Sequence, residues 1–262
     1  MKRPFLAVSL VAFLVLGAHA LAEGPEFKVE VAGVRSVWPN DTGDFSVRPM
    51  WGEEGFSVAV LVKGQNLIAI EPDDSKIGVV ADDAKKDLTA AKGWNKPQVK
   101  NTNVAKDGKA GIAELYVPTA PTRGAKSVHV EASVAIVTAN GTEKKEGSVE
   151  LKKGTKIEFG MEPLEISKVE DQNWNKDFPH GLTVTSKKPL HWLAGLTVKG
   201  EDGKEMKTAD GGGGWSSSGH EKTYERTILL PKKLEKATLV LEVRKDLKTV
   251  EVPVNLDVSI GG

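Results

Sequence analysis

The side chains with the most chemistry to offer in this 262-residue chain are six Trp, two Tyr and five His; Cys is absent. Without Cys there are no disulfides, no thiol nucleophile and no thiolate metal ligand. A zinc site would need several histidines to converge. If residues 181–186 and 190–196 pair as a hairpin, His180 and His191 lie about 16 Å apart, at ~3.3 Å per residue along a strand. His129 belongs to the other half of the chain. No metal site is therefore expected from His. The acidic pairs Asp73-Asp74 and Asp82-Asp83 lack the spaced Asp-x-Asp-x-Asp-Gly run of a calcium loop.

The glycine-rich stretch Asp210 to His220 invites two readings. A phosphate loop needs Lys-Ser/Thr after its last glycine, between a strand and a helix, and no Lys follows here. A hydrolase elbow needs Gly-x-Ser-x-Gly, and Gly214-Trp215-Ser216-Ser217-Ser218 fails at its last position. The stretch reads instead as a flexible hairpin tip. With no converging catalytic set, no activity, cofactor or metal is expected. The tryptophans suit contact better than catalysis, because an indole face can stack on a sugar or a peptide. Trp38 and Trp174 recur at similar places in the two halves, as do Gly93-Trp94 and Gly214-Trp215, which suggests that they close the ends of the fold. The residues expected to touch a partner are Trp51, His191, Trp192 and Trp215.

Strands must position these residues. Val250, Val252, Val254, Leu256 and Val258 alternate with polar residues, the signature of a half-buried strand. Pro253 lacks a ladder donor, which marks that strand as an edge. Val128 to Ile136 alternates in the same way and runs into Asn140-Gly141, a strong tight-turn signal. Residues 127–151 therefore read as a hairpin. Phe56 to Val62 is uniformly apolar, as a central strand is. Asp82 to Lys92 has no apolar stripe at helical spacing and reads as turns.

Blocks of the first half recur in order in the second. Val29-Glu30-Val31 matches Leu164-Glu165-Ile166, and Gly55-Phe56-Ser57-Val58 matches Gly181-Leu182-Thr183-Val184. Ile77-Gly78-Val79 matches Leu196-Thr197-Val198, and Ser127-Val128 matches Thr238-Leu239. Asp82-Asp83-Ala84-Lys85 and Glu201-Asp202-Gly203-Lys204 read as one shared β-turn. The offset falls steadily along the chain, as shorter loops in a second copy require. The expectation is an all-β chain of two tandem immunoglobulin-like β-sandwich domains arising from an internal duplication. Residues 23–154 would form the first and 155–262 the second.

Residues 1–22 read as a signal peptide: Lys2-Arg3, an apolar run, then small residues at Ala20 and Ala22. Basic and acidic residues balance at 36 each. Such a balance excludes the electrostatic footprint of a nucleic-acid binder and a polybasic membrane patch. No later stretch has the length and apolarity of a membrane-spanning helix.

In strand pattern and duplication, residues 26–258 resemble the exported tandem immunoglobulin-like or fibronectin-like sandwich proteins of bacteria. The Cys-Trp-Cys pattern of true immunoglobulin domains is missing, and the resemblance carries no site residue across. It implies a secreted or periplasmic, non-enzymatic binding or structural module of the cell envelope, with a protein or a glycan as partner. Two alternatives are a hydrolase with an unrecognised carboxylate site and a chaperone-like protein acting by strand addition.

Overall fold

The computed structural model describes residues 26–38, 54–91, 95–200, 202–218 and 221–260. The expected signal peptide, the Trp51 loop, Trp94 and His220 lie outside them. The described chain is all-β, with antiparallel strands throughout. The strands are β1 (Lys28–Val37), β2 (Gly55–Lys63), β3 (Leu67–Asp82), β4 (Gln98–Val104), β5 (Ala110–Val117), β6 (Ser127–Thr138), β7 (Thr142–Glu150) and β8 (Lys156–Ile157). They continue with β9 (Leu164–Asp171), β10 (His180–Ser186), β11 (Leu193–Lys199), β12 (Ala209–Ser218), β13 (Glu221–Leu230), β14 (Lys236–Arg244) and β15 (Lys248–Ser259). A 3-10 turn, Leu190–Trp192, precedes β11.

Four sheets enclose two separate cores. In the first unit a β1-β2-β5-β4 sheet and a β15-β6-β3 sheet share one apolar cluster, which includes Phe56, Leu115, Ile136 and Val254. In the second, β12-β13-β10-β9-β8 and β11-β14-β7 share another, with Ile166, Leu182, Trp192 and Leu239. β2 is central, as its uniform apolarity requires. β15 is an edge strand, as Pro253 requires.

The hairpin expected over 127–151 does not form. β6 pairs with β15, and β7 pairs with β14 in the second unit. Together they make one long ribbon, residues 127–150 against 236–259. Its register is unbroken: Ser127 faces Ser259, Thr138 faces Lys248, Thr142 faces Arg244 and Glu150 faces Lys236. At the crossing the Asn140 amide donates to the Lys245 carbonyl at 3.0 Å, and the Lys245 amide donates to Gly141 at 3.1 Å. Gly141 (φ 79°) and Asp246 (φ 53°) take left-handed backbone there, one on each strand. Asn140-Gly141 is therefore a crossing between units and not a hairpin turn.

Core chemistry explains the choice. Folded back across a two-residue turn, β7 would set Lys145, Gly147 and Val149 against the first core. β15 instead buries Val252, Val254 and Val258 there. Each buried valine is worth about 1.5–3 kcal/mol. β7 suits the second unit because Gly147 makes room for the Phe159 ring; a Cβ at 147 would lie 2.4 Å from a ring carbon.

The glycine-rich stretch forms β12, where a loop was expected. It pairs with β13 from Ala209↔Leu229 to Ser218↔Glu221, because ladder bonds need only backbone. A bulge falls between Asp210 and Gly212, with Gly212 at φ 91° and its amide bonded to the Asp210 carboxylate at 3.0 Å. β10 and β11 also fail to pair, since they lie in different sheets.

Candidate functional site

The long β3 strand carries an interruption. Glu71 faces Ala135 and Lys76 faces Ser133, so Pro72 to Ser75 bulge out opposite a single β6 residue. The Ser75 hydroxyl fixes the bulge: it donates to the Glu71 carbonyl at 2.6 Å and accepts the Ala135 amide at 2.9 Å. Glu71 and Asp73 are thereby turned towards the second unit. The second unit answers with an imidazole and an ammonium. His191 on the 3-10 turn pairs with Glu71, and Lys222 at the start of β13 pairs with Asp73. The hydrogen bond to Asp73 holds the Lys222 ammonium above the ordinary lysine range.

Between these two pairs runs a groove of about 580 Å³. One wall is Ile70 to Asp73 with Val99, Lys100 and Thr102; the other is Leu190, His191, Gly214, Trp215, Lys222, Tyr224 and Glu225. Trp215 and Tyr224 are direct cross-strand partners, which puts both rings on one face of the β12-β13 ribbon. Trp215 is 61% exposed, with the Lys222 ammonium 5.1 Å from its ring centre. The 3-10 turn is held from below. Arg244 donates to the His191 carbonyl at 2.6 Å, and Arg226 donates to the carbonyls of Leu193 and Ala194 at 3.2 and 3.3 Å. Burial, and then the neighbouring Arg226, push the Arg244 guanidinium below its usual range.

Of the expected contact residues, His191 and Trp215 come together here. Trp192 is one residue from His191 but points into the second core, 3% exposed. Trp51 lies outside the described residues. Trp38 and Trp174 do not share one role: the Trp38 indole donates to the Pro121 carbonyl at 2.8 Å, whereas Trp174 is 66% exposed and bonded to Gln172. His129 and His180 are bound elsewhere, to Asp257 and Glu131 and to Asp171. Among the described residues, no cluster of His, Asp and Glu could hold a metal ion.

Sequence reasoning missed Glu71, Asp73, Lys222 and Tyr224. In the sequence Asp73 stands only as half of an acidic pair with Asp74. The available signal was Pro72-Asp73-Asp74-Ser75, which breaks the period-two pattern inside an otherwise apolar strand.

Comparison with family models, with curated proteins and with solved structures gives no match.

Proposed function

We propose that the chain is a non-enzymatic, exported binding module of the cell envelope that holds its partner in the groove between its two units. The observation carrying this reading is the convergence on one groove of two aromatic rings with a Glu–His and an Asp–Lys pair that join separate units. Glu71 and Asp73 are each held by a side chain of the other unit, His191 and Lys222, which suits recognition better than acid–base catalysis. Clefts of a few hundred Å³ at the junction of two units are common ligand sites.

The reading extends to ancestry. The strand order β1-β2-β5-β4 with β15-β6-β3 follows the ABED and GFC sheets of a constant-type immunoglobulin domain. β9-β10-β13-β12 with β7-β14-β11 follows it again, with β7 and β15 exchanged. The turns agree as well. Asp82→Lys86, Lys85→Asp82 and Leu88→Val80 backbone bonds recur as Gly200→Lys204, Gly203→Gly200 and Met206→Val198. Two tandem immunoglobulin-like sandwiches from an internal duplication, with their last strands exchanged, account for both agreements. A leader at residues 1–22 and a secreted or periplasmic location complete the proposal.

Strand addition is a second reading, favoured by one observation: β12 ends its sheet, and its four consecutive glycines leave the outer ladder without side-chain cover. Footprinting of the mature protein with fractionated envelope material separates the two. The groove reading expects protection of Trp215 and Tyr224, lost in Lys222→Ala and kept in Trp174→Ala. Protection confined to β12 amides would favour strand addition. Protection nowhere at micromolar protein would remove both.

A further inference from the structure

We propose that the groove takes a neutral oligosaccharide, with the Trp215 indole as its stacking platform; this rests on the reading of the groove as a binding site. The charges are the first reason. Both pairs bridge the groove from opposite walls, Glu71 to His191 and Asp73 to Lys222, and Lys100 and Glu225 line it as well, so acidic and basic groups alternate around it. A ligand of one charge sign would meet like charges as well as opposite ones along this lining. A hydroxyl donates and accepts at once. It can bond to a carboxylate on one side and an ammonium on the other without breaking either pair.

The rings are the second reason. Trp215 keeps 61% of its surface exposed although it sits in a strand beside Tyr224. A large apolar ring held on a paired strand, with the Lys222 ammonium over one face and most of its surface exposed, is a preformed platform for the C–H face of a pyranose. Its same-face neighbours along β12 are Gly213 and Ser217, so no bulky β12 side chain stands beside the ring. Ile70, Val99 and Leu190 give the groove an apolar lining, and its volume of about 580 Å³ admits more than one sugar ring. Trp174 is a built-in control. It is 66% exposed but is bonded to Gln172 and stands outside the groove.

The test is a titration of the mature protein, followed by tryptophan fluorescence and by NMR of the indole N–H groups. Probes are cellotetraose, maltotetraose, laminaritetraose, mannotetraose and chitotetraose, with hexalysine and hexaglutamate as charged comparators. At least one sugar is expected to bind with Kd below about 1 mM. Trp215→Ala should weaken it by about tenfold or more. Trp174→Ala should leave it unchanged, and Trp215→Phe should retain part of it, which guards against a folding defect. Silence from all five sugars at about 10 mM overturns the proposal, as does binding that Trp215→Ala does not touch. If a charged peptide binds at Trp215 and no sugar does, the groove stands as a site and the ligand class is wrong. If envelope fractions also leave Trp215 unprotected, both fall.

Discussion

β7 and β15 hold equivalent edge places in the two units but contribute unequally. β15 buries Val252, Val254 and Val258 in the first core, whereas β7 buries only Val149 in the second. The first unit therefore depends on the last strand of the chain for its packing. The second unit depends on β7 more for backbone pairing and for the gap that Gly147 leaves. Each unit is completed by the other half of the chain, so the two are tied by a ribbon instead of a linker. A groove walled by both units can then keep a fixed geometry.

Four perturbations should break or sharpen this inequality. The largest is truncation after Lys245, which removes β15. It deletes three buried valines at about 1.5–3 kcal/mol each together with a full ladder, a loss comparable to the whole stability of a small domain. Hydrogen exchange should show β6 and β3 unprotected while β10 and β13 stay protected. Equal loss in both units would mean that they unfold as one. Second, Gly147→Ala drives a methyl against Phe159 and should cost about 1–3 kcal/mol in urea unfolding. Gly141→Ala has open space and pays only for its left-handed backbone, about 1–2 kcal/mol.

The third concerns pH. Burial opposes the charge on Asp82, but the Thr122 amide and hydroxyl and the Lys86 and Ala84 amides outweigh it and hold the carboxyl below its usual range. The stability this contributes is full above the ordinary value near 4 and is lost as pH falls through the lower folded value. The second unit has Gly200 at this place. Asp82→Asn should therefore destabilise the first unit at neutral pH and converge on the wild type in acid melts. A constant difference from pH 7 to 2 would sink the assignment. The smallest effect is at His129, which Glu131 and then Asp257 hold above the ordinary His range. Its contribution is present below about pH 6.5 and lost as pH rises through the raised folded value. His129→Gln should lower Tm slightly at pH 6 and leave it unchanged at pH 9.

Much of this fold was legible in the sequence. Period-two alternation located β6 and β15, Pro253 marked an edge, and the apolar run of β2 marked a centre. The partner of β7 was not legible. Asn140-Gly141 is a good hairpin signal locally, and only competition between two strands for one core place overrules it. The polyglycine strand was hidden because glycine gives no alternation to read, although its backbone pairs like any other. Trp215 and His191 could be singled out by type. Glu71 and Asp73 could not, because nothing local says that a bulge in β3 will face β13.

The pairing of β7 with β14 and of β15 with β6 is the claim on which the groove rests, and a chain without Cys makes it directly testable. Ser148 faces Thr238 across the β7–β14 pairing, whereas a two-residue hairpin turn at Asn140-Gly141 would set it opposite Ser133. Disulfide mapping of Ser148→Cys/Thr238→Cys and Ser133→Cys/Ser148→Cys under mild oxidation decides between them. The β7–β14 pairing gives a near-complete intramolecular bridge in the first variant and none in the second. A bridge between 133 and 148 with none between 148 and 238 would contradict it.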